Sequence, residues 1–176
     1  MKLLAGLALA VFVVVAGGVA AILSGAFNVA ATNPDSSMTT WILHTTMQRS
    51  VAVRSSAIVA PESFTEAQVQ AGSNEFRAMC AGCHGAPGRM RSAAGKGLRP
   101  RAPDLAVVAN NWTNANLFWI IKNGIKMTGM PAFGPTHDDQ TLWNIVAFVR
   151  QLPNMTADQY QRFADEGRAA GNEHEH

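Results

Sequence analysis

The chain has 176 residues, which is enough for one domain of ordinary size with appendages but not for two large domains. Hydrophobic residues make up 48% of the sequence, so the chain can form a buried core. The formal net charge of +2 is too small to indicate a nucleic-acid-binding protein, and no basic stretch is interleaved with aromatic residues. We therefore expect no nucleic-acid partner.

The chain begins with an uncharged apolar run from Leu3 to Leu23, preceded by Lys2. About 20 apolar residues cross the hydrocarbon core as a helix, whereas the apolar region of a cleaved signal peptide is usually about 7–15 residues long. Residues 1–26 therefore predict a transmembrane anchor, or an uncleaved signal, in the cytoplasmic membrane. The positive-inside tendency keeps Lys2 in the cytoplasm and places the rest of the chain in the periplasm or outside. Signal cleavage is the alternative, and it would give a soluble periplasmic protein.

Residues 27–63 predict a connector that contains one short amphipathic helix. Within it, residues 38–53 place Trp41, His44 and Val51 at helical spacing. Pro61 then interrupts the chain before the next segment. A minimal domain would not need this connector helix, so a partner-binding surface is one interpretation of it.

Residues 64–153 predict the main domain, whose segments follow helical periodicity and show no strand pattern. A first helix follows Thr65 and should run into a segment that begins at Cys80. Its predicted buried face consists of Val69, Gly72, Phe76 and Met79. The fold class is therefore all-α.

Two further helices are predicted in this domain, over residues 114–124 and 138–153. The stretch at 85–103 is rich in Gly, Pro and Arg and predicts a loop. A second loop separates the two helices. Residues 154–176 predict a polar C-terminal tail.

The segment Cys80-Ala81-Gly82-Cys83-His84 is a C-x-x-C-H motif, the attachment signature of a c-type haem. Two thiols at this spacing add across the two vinyl groups on one edge of the porphyrin, and the adjacent imidazole can then reach the iron. Two alternatives are a thioredoxin-like redox pair and a zinc site. The first needs a strand-helix context, and the second needs another ligand pair, for which His137 and the tail histidines are a poor substitute. We predict one covalently bound haem c.

A second axial ligand is expected downstream, in a loop that can cover the opposite face of the haem. Met127 and Met130 are the candidates in this loop. Pro131 stiffens the backbone directly after Met130, whereas most methionines in proteins fill gaps in apolar regions. We favour Met130, with Met127 as the alternative. A thioether ligand favours ferrous iron and raises the reduction potential.

With these features the chain resembles the class I c-type cytochromes, whose single haem has a histidine and a methionine as axial ligands, and specifically the membrane-anchored bacterial kind. The resemblance covers residues 64–153. It is carried by the CAGCHG box at 80–85, the APDL segment at 102–105, the GMPAF loop at 129–133 and the aromatic residues of the last helix. It implies the cytochrome c fold, electron transfer rather than enzyme catalysis, and redox proteins as partners.

The resemblance also implies roles for residues outside the attachment motif. A proline carbonyl should accept the proton of the His84 ring nitrogen that faces away from the iron, and Pro103 matches better than Pro100. The first and last helices should cross at Gly72. Phe76 should then meet Ile145 and Phe148.

The loop at 85–101 departs from the compact members of that family because it is long and basic. It contains no acidic residue, and its basic residues are Arg89, Arg91, Lys96, Arg99 and Arg101. This charge predicts a docking surface for an acidic redox partner. A solvated loop, or arginines that neutralise the haem propionates, is the alternative.

Three functions are compatible with these features. The favoured one is a periplasmic one-electron carrier, tethered to the membrane through residues 3–23, which links a respiratory complex or dehydrogenase to an acceptor. The second is a tightly bound haem subunit of a larger membrane oxidoreductase complex. The third is a haem sensor or peroxidase in which Met130 leaves the iron, and the sequence offers no obvious acid–base pair for it.

Overall fold

The computed structural model describes residues 2–172, and for residue 164 and residues 167–172 it describes the backbone only. The chain divides into two compact units, one ending at Ser36 and the other beginning at Ser37. Across residues 2–172 the secondary structure is helical, with one isolated bridge between Ala86 and Arg89 and no β-strand. The predicted all-α class is confirmed.

The first unit contains helix α1, Lys2–Leu23, as the sequence predicted. Its mean hydropathy is 2.6, and all of its residues are exposed. At about 1.5 Å per residue such a helix is roughly as long as the hydrocarbon core is thick. Among residues 2–172 it is the one helix with the length and composition to cross a membrane. It is compatible with a membrane anchor or a signal.

The second unit begins with α2, Ser37–Ser55, which agrees with the helix predicted at 38–53. Its C-terminal end packs against α7, Asn114–Asn123, through the buried residues Val51 and Ser55. Asn116 Nδ2 donates a hydrogen bond to Ser55 Oγ at 2.6 Å, and Asn114 Nδ2 donates to the Pro61 carbonyl at 3.1 Å. This end of α2 is therefore part of the folded unit rather than a free connector.

Helix α3, Glu66–Glu75, begins directly after Thr65, because Thr65 is its N-terminal cap and forms a reciprocal pair of hydrogen bonds with Gln68. Gln68 N donates to Thr65 Oγ1 at 3.2 Å, and Thr65 N donates to Gln68 Oε1 at 3.0 Å. The chain continues through a π-helical turn at Phe76–Cys80 into α4, Ala81–His84. The sequence predicted one continuous helix here. The π turn accommodates an extra residue just before the attachment motif, and turns of this kind often occur at functional sites.

Helix α8, Asp139–Val149, crosses α3 and forms the centre of the core. Asp138 Oδ1 accepts a hydrogen bond from Thr141 N at 2.7 Å, and this bond holds the pKa of the Asp138 carboxyl below its usual range. The Phe76 and Phe148 rings lie 5.3 Å apart, and Ile145 is fully buried in the same cluster. The predicted packing of the first helix on the last is confirmed. The helix ends at Val149, earlier than predicted, and a 3₁₀ turn follows at Leu152–Asn154.

The segment before α7 contains a short helix, α6, Leu105–Val108, and a 3₁₀ turn, Ala109–Asn111. Arg150, directly after α8, connects the end of α8 to this segment. Its Nε donates to Asn114 Oδ1 at 2.6 Å, its Nη1 donates to the Ala109 carbonyl at 2.9 Å, and its Nη2 donates to the Trp112 carbonyl. Carbonyl acceptors at a helix end and a turn are thus satisfied by one guanidinium group.

The polar tail predicted from residue 154 contains a helix, α9, Ala157–Asn172, that packs on the core. Tyr160 is 6% exposed, and its ring lies 6.5 Å from that of Phe76 and 6.2 Å from that of Phe148. The Phe163 ring lies 5.7 Å from the Phe148 ring. The folded unit therefore continues beyond residue 153. Residues 173–176, the end of the predicted tail, lie outside the described residues.

Candidate functional site

The three residues of the attachment motif lie at the end of the α3–α4 path. Cys80 is buried, Cys83 and His84 are half-buried, and the two cysteines are not joined to each other. Positions three and four residues apart share one helix face, so the two sulfur atoms and the imidazole are grouped on one side of the chain. Gly85 ends α4 with a φ of +75°, a conformation that favours glycine.

The chemistry of Cys80 differs from that of a redox-active thiol pair. Burial, with smaller contributions from Cys83 and Glu75, raises the pKa of the Cys80 thiol to about 12. Thiol oxidoreductases require the opposite, a lowered pKa that populates the thiolate. The described residues also bring together no group of three His, Cys, Asp or Glu side chains suited to a metal ion.

His84 is oriented by the carbonyl of Pro103, the proline of the APDL segment. The distance from His84 Nδ1 to Pro103 O is 2.9 Å. A carbonyl only accepts, so Nδ1 must carry the proton, which leaves Nε2 as the free ring nitrogen. Burial lowers the pKa of His84, an effect only partly opposed by this hydrogen bond. The neutral imidazole that results is the form that binds metals.

The stretch predicted as a loop at 85–103 contains a short helix, α5, Ala93–Gly97, which the sequence analysis missed. We call residues 92–98 the bridging segment. Ser92 N donates to the Gly82 carbonyl at 2.8 Å, and Ser92 Oγ caps α5 by accepting from Gly95 N at 3.1 Å. A Cβ atom on Gly95 would lie only 2.4 Å from the Gly82 carbonyl oxygen. The bridging segment therefore packs directly against the attachment motif, and only glycine fits at position 95.

The other end of the bridging segment contacts the methionine loop. A Cβ atom on Gly129 would lie 2.5 Å from Leu98 Cδ2, so the Leu98 side chain rests against Gly129. Gly129 immediately precedes Met130. Residues 92–98 thus connect the two stretches of chain from which the sequence predicts the axial ligands.

The two candidate methionines have different surroundings. Met127 has a φ of 61° and is 85% exposed, so its side chain lies in solvent. Met130 is half-buried and packs against the core cluster. Its backbone is fixed on both sides, because Met130 N donates to Thr128 Oγ1 at 3.0 Å and Ile125 N donates to the Met130 carbonyl at 3.2 Å. Of the two, Met130 is the one placed to contact a buried group.

Arg91 provides a test of whether these residues fit a haem. A Cβ atom built on Gly85 would lie 3.6 Å from Arg91 Cγ, so the Arg91 side chain lies beside Gly85, the residue after His84. Arg91 Nη2 donates a hydrogen bond to the Ala102 carbonyl at 2.8 Å. Its Nε is buried and has no hydrogen-bond partner among the described residues. A buried cationic donor beside the attachment motif suits an anionic group such as a haem propionate. The residues present therefore fit the predicted haem.

Sequence reasoning assigned Ser92, Gly95 and Leu98 no role at the site. Ser92 followed by Ala93-Ala94 is a recognisable start of a short helix. The contact between Gly95 and Gly82 has no comparable signal, because it depends on how two segments meet in three dimensions.

Residues 67–149 match the family model described as "Cytochrome C oxidase, cbb3-type, subunit III". No curated protein matches the chain. The match extends from α3 to the end of α8 and includes the single C-x-x-C-H motif, the APDL segment and the methionine loop. An all-helical core that presents one attachment motif is the architecture such a domain requires. Residues 67–149 form a c-type cytochrome domain with one attachment motif, which implies a single haem c and electron transfer.

Proposed function

We propose that the chain is a one-electron carrier tethered by residues 3–23 to the outer face of the cytoplasmic membrane. It takes electrons from a respiratory complex or dehydrogenase and passes them to an acceptor. The observation that carries the proposal is the hydrogen bond between His84 Nδ1 and the Pro103 carbonyl. It presents Nε2 of a neutral imidazole beside two cysteines at haem-attachment spacing.

In this proposal four residues of the chain would bind the haem, and a fifth would position one of them. Cys80 and Cys83 would form the thioether bonds, His84 and Met130 would ligate the iron, and Pro103 would orient His84. The bound haem supplies a reversible ferric–ferrous couple. The protein's own residues hold the two ligands in place, exclude water and, through Arg91, offset negative charge at the haem edge. With His84 and Met130 both bound to the iron, no position would be left for a substrate, which suits outer-sphere electron transfer.

The test is a potentiometric titration of the haem-loaded full chain in detergent or lipid nanodiscs, followed by exposure of the ferrous protein to carbon monoxide. We expect a single one-electron transition and no rapid carbon monoxide binding at neutral pH, because the methionine occupies the sixth position. Rapid binding would instead favour the sensor or peroxidase interpretation. Release of the chain from membranes by alkaline carbonate would contradict the membrane tether but not the electron-transfer function.

We also propose that an acidic partner docks beside the bridging segment. Two of the five basic residues of the 85–101 loop are engaged by carbonyl groups, since Arg91 donates to Ala102 O and Arg99 Nη1 donates to Leu98 O at 2.8 Å. The other three, Arg89, Lys96 and Arg101, are exposed. This is a positive surface close to the attachment motif, and positive surfaces steer anionic partners.

Oxidation of the ferrous protein by anionic and cationic inorganic oxidants tests this surface. With the anionic oxidant we expect the rate to fall as salt is added, since exposed charges are screened within a Debye length of about 8 Å at physiological ionic strength. Replacing both Arg89 and Lys96 with glutamine should weaken this salt dependence, and replacing Arg54 on α2, a helix that packs against α7, should weaken it less. Identical salt dependence for oxidants of opposite charge would contradict the docking proposal.

A second candidate function is that of a haem subunit in a larger membrane oxidoreductase complex. The description of the matched family model, which names an oxidase subunit, favours it. Copurification with other chains in fixed stoichiometry after mild detergent extraction would support it over the free carrier.

A further inference from the structure

Helix α2 presents apolar side chains on two opposite faces. Val51 and Ser55 lie on the face that packs against α7. Ile42 and Val53, eleven residues apart, lie on the opposite face, and both are exposed. Met38, four residues before Ile42, lies on the same face and is 69% exposed, and Trp41 lies at the edge of that face and is 68% exposed. The folded unit buries one apolar face of α2 and leaves a second one uncovered.

The net charge of α2 is positive, and both of its charged residues lie in its C-terminal half. The helix contains Arg49 and Arg54 and no acidic residue. The nearest acidic side chains in sequence are Asp35 before it and Glu62 after it. Arg49 lies seven residues after Ile42, on the same face. Exposed apolar residues and a tryptophan suit the boundary between headgroups and acyl chains, and an arginine beyond them suits headgroup phosphates.

The chain also keeps α2 close to a membrane, a step that rests on the proposed anchor. Between α1, which ends at Leu23, and α2, which begins at Ser37, there are residues 24–36. A fully extended connector of that length spans at most about 45 Å, at roughly 3.4 Å per residue. The exposed face of α2 is therefore held at high effective concentration near the lipid headgroups.

We propose that the N-terminal part of α2, residues 38–49, binds the surface of an anionic phospholipid bilayer. Met38, Trp41 and Ile42 enter the boundary between headgroups and acyl chains, and Arg49 contacts headgroup phosphates. This second attachment restricts rotation of the haem domain about its tether. The haem domain would otherwise rotate freely about a flexible anchor. With α2 bound to the bilayer, the domain presents a restricted part of its surface to a redox partner.

The test places an environment-sensitive fluorophore at Ile42→Cys in the haem-loaded full chain, reconstituted in nanodiscs. Because the haem thioethers occupy Cys80 and Cys83, the introduced thiol is the one available for labelling. His44→Cys is the matched control, because His44 is exposed and lies seven residues before Val51, on the opposite side of the helix from Ile42. In nanodiscs containing phosphatidylglycerol we expect blue-shifted emission at position 42, with acrylamide quenching about threefold lower than at position 44.

Replacing Arg49 with glutamine should return the label at position 42 toward the aqueous state, and replacing Arg54, which donates to Ser50 Oγ at 3.0 Å, should have a smaller effect. Each arginine near an anionic surface contributes about a fivefold change in the binding equilibrium. The same label in nanodiscs of phosphatidylcholine alone should be markedly more accessible to acrylamide. Equal protection in neutral and anionic lipid would overturn the assignment to an anionic surface.

Two other outcomes would also overturn the inference. The first is a label at position 42 that stays as accessible as that at position 44 in anionic nanodiscs. The second is protection seen only in native membranes, which would mean that a protein covers this face. Failure of the chain to coelute with nanodiscs would contradict the anchor instead, so failure of the tether is distinguished from failure of the α2 contact.

Discussion

Replacing Gly72 with alanine should destabilise the haem domain by about 3 kcal/mol or more, at the upper end of what overpacking costs. A Cβ atom at this position would lie 1.8 Å from the Asn144 carbonyl oxygen and 2.5 Å from its carbonyl carbon. Both are backbone atoms of α8, so no change of side-chain rotamer can relieve the overlap. The two helices would have to move apart and loosen the contact between Phe76 and Phe148.

Guanidinium unfolding of the haem-loaded chain, followed by haem absorbance and by circular dichroism, measures this effect. The matched control is Gly97→Ala, because a Cβ atom at Gly97 meets nothing within 4 Å. We expect the control to change the free energy of unfolding by no more than about 0.5 kcal/mol. A stability loss for G72A no larger than that of G97A would mean that α3 and α8 do not cross as closely as described.

The same crossing illustrates what could be predicted from the sequence. Each helix carries two contact residues at a spacing that places them on one face: Gly72 and Phe76 on the first helix, Ile145 and Phe148 on the last. The family resemblance supplied the pairing of the two faces. The attachment motif is similar, because C-x-x-C-H is local and its chemistry fixes its spacing. Both predictions rest on patterns a few residues long.

The elements that the sequence analysis missed are those with weak local patterns. Helix α9 has a polar composition, and its contact with the core depends on Tyr160 and Phe163, two aromatic residues three positions apart. Helix α5 is five residues long and lies within a stretch rich in Gly, Pro and Arg. Tertiary contacts stabilise short or polar helices of this kind more than intrinsic propensity does. Their existence therefore depends on the assembled core.

The proposal that Met130 is the second axial ligand of the haem iron leads to the second large effect. Met130→Ala should lower the reduction potential on the order of 0.2 V, a fraction of the roughly 0.8 V range that axial ligands set. A thioether stabilises ferrous iron, and its loss removes that preference. The oxidised variant should also lose the long-wavelength charge-transfer band from sulfur to ferric iron, and the reduced variant should bind carbon monoxide. Spectroelectrochemistry of the full chain measures all three changes.

Met127→Ala is the matched control, since it removes the same thioether three residues away. Met127 is exposed with a positive φ, so this variant should keep the potential, the charge-transfer band and the inertness to carbon monoxide. The reverse result, with only M127A losing the band, would make Met127 the ligand and require the loop to refold around the haem. If neither variant lost the band, the ligand would lie outside this loop. The hydrogen bonds of the Met130 backbone to Thr128 and Ile125, and the contact of Leu98 with Gly129, favour the first outcome because they already fix Met130 in a half-buried position.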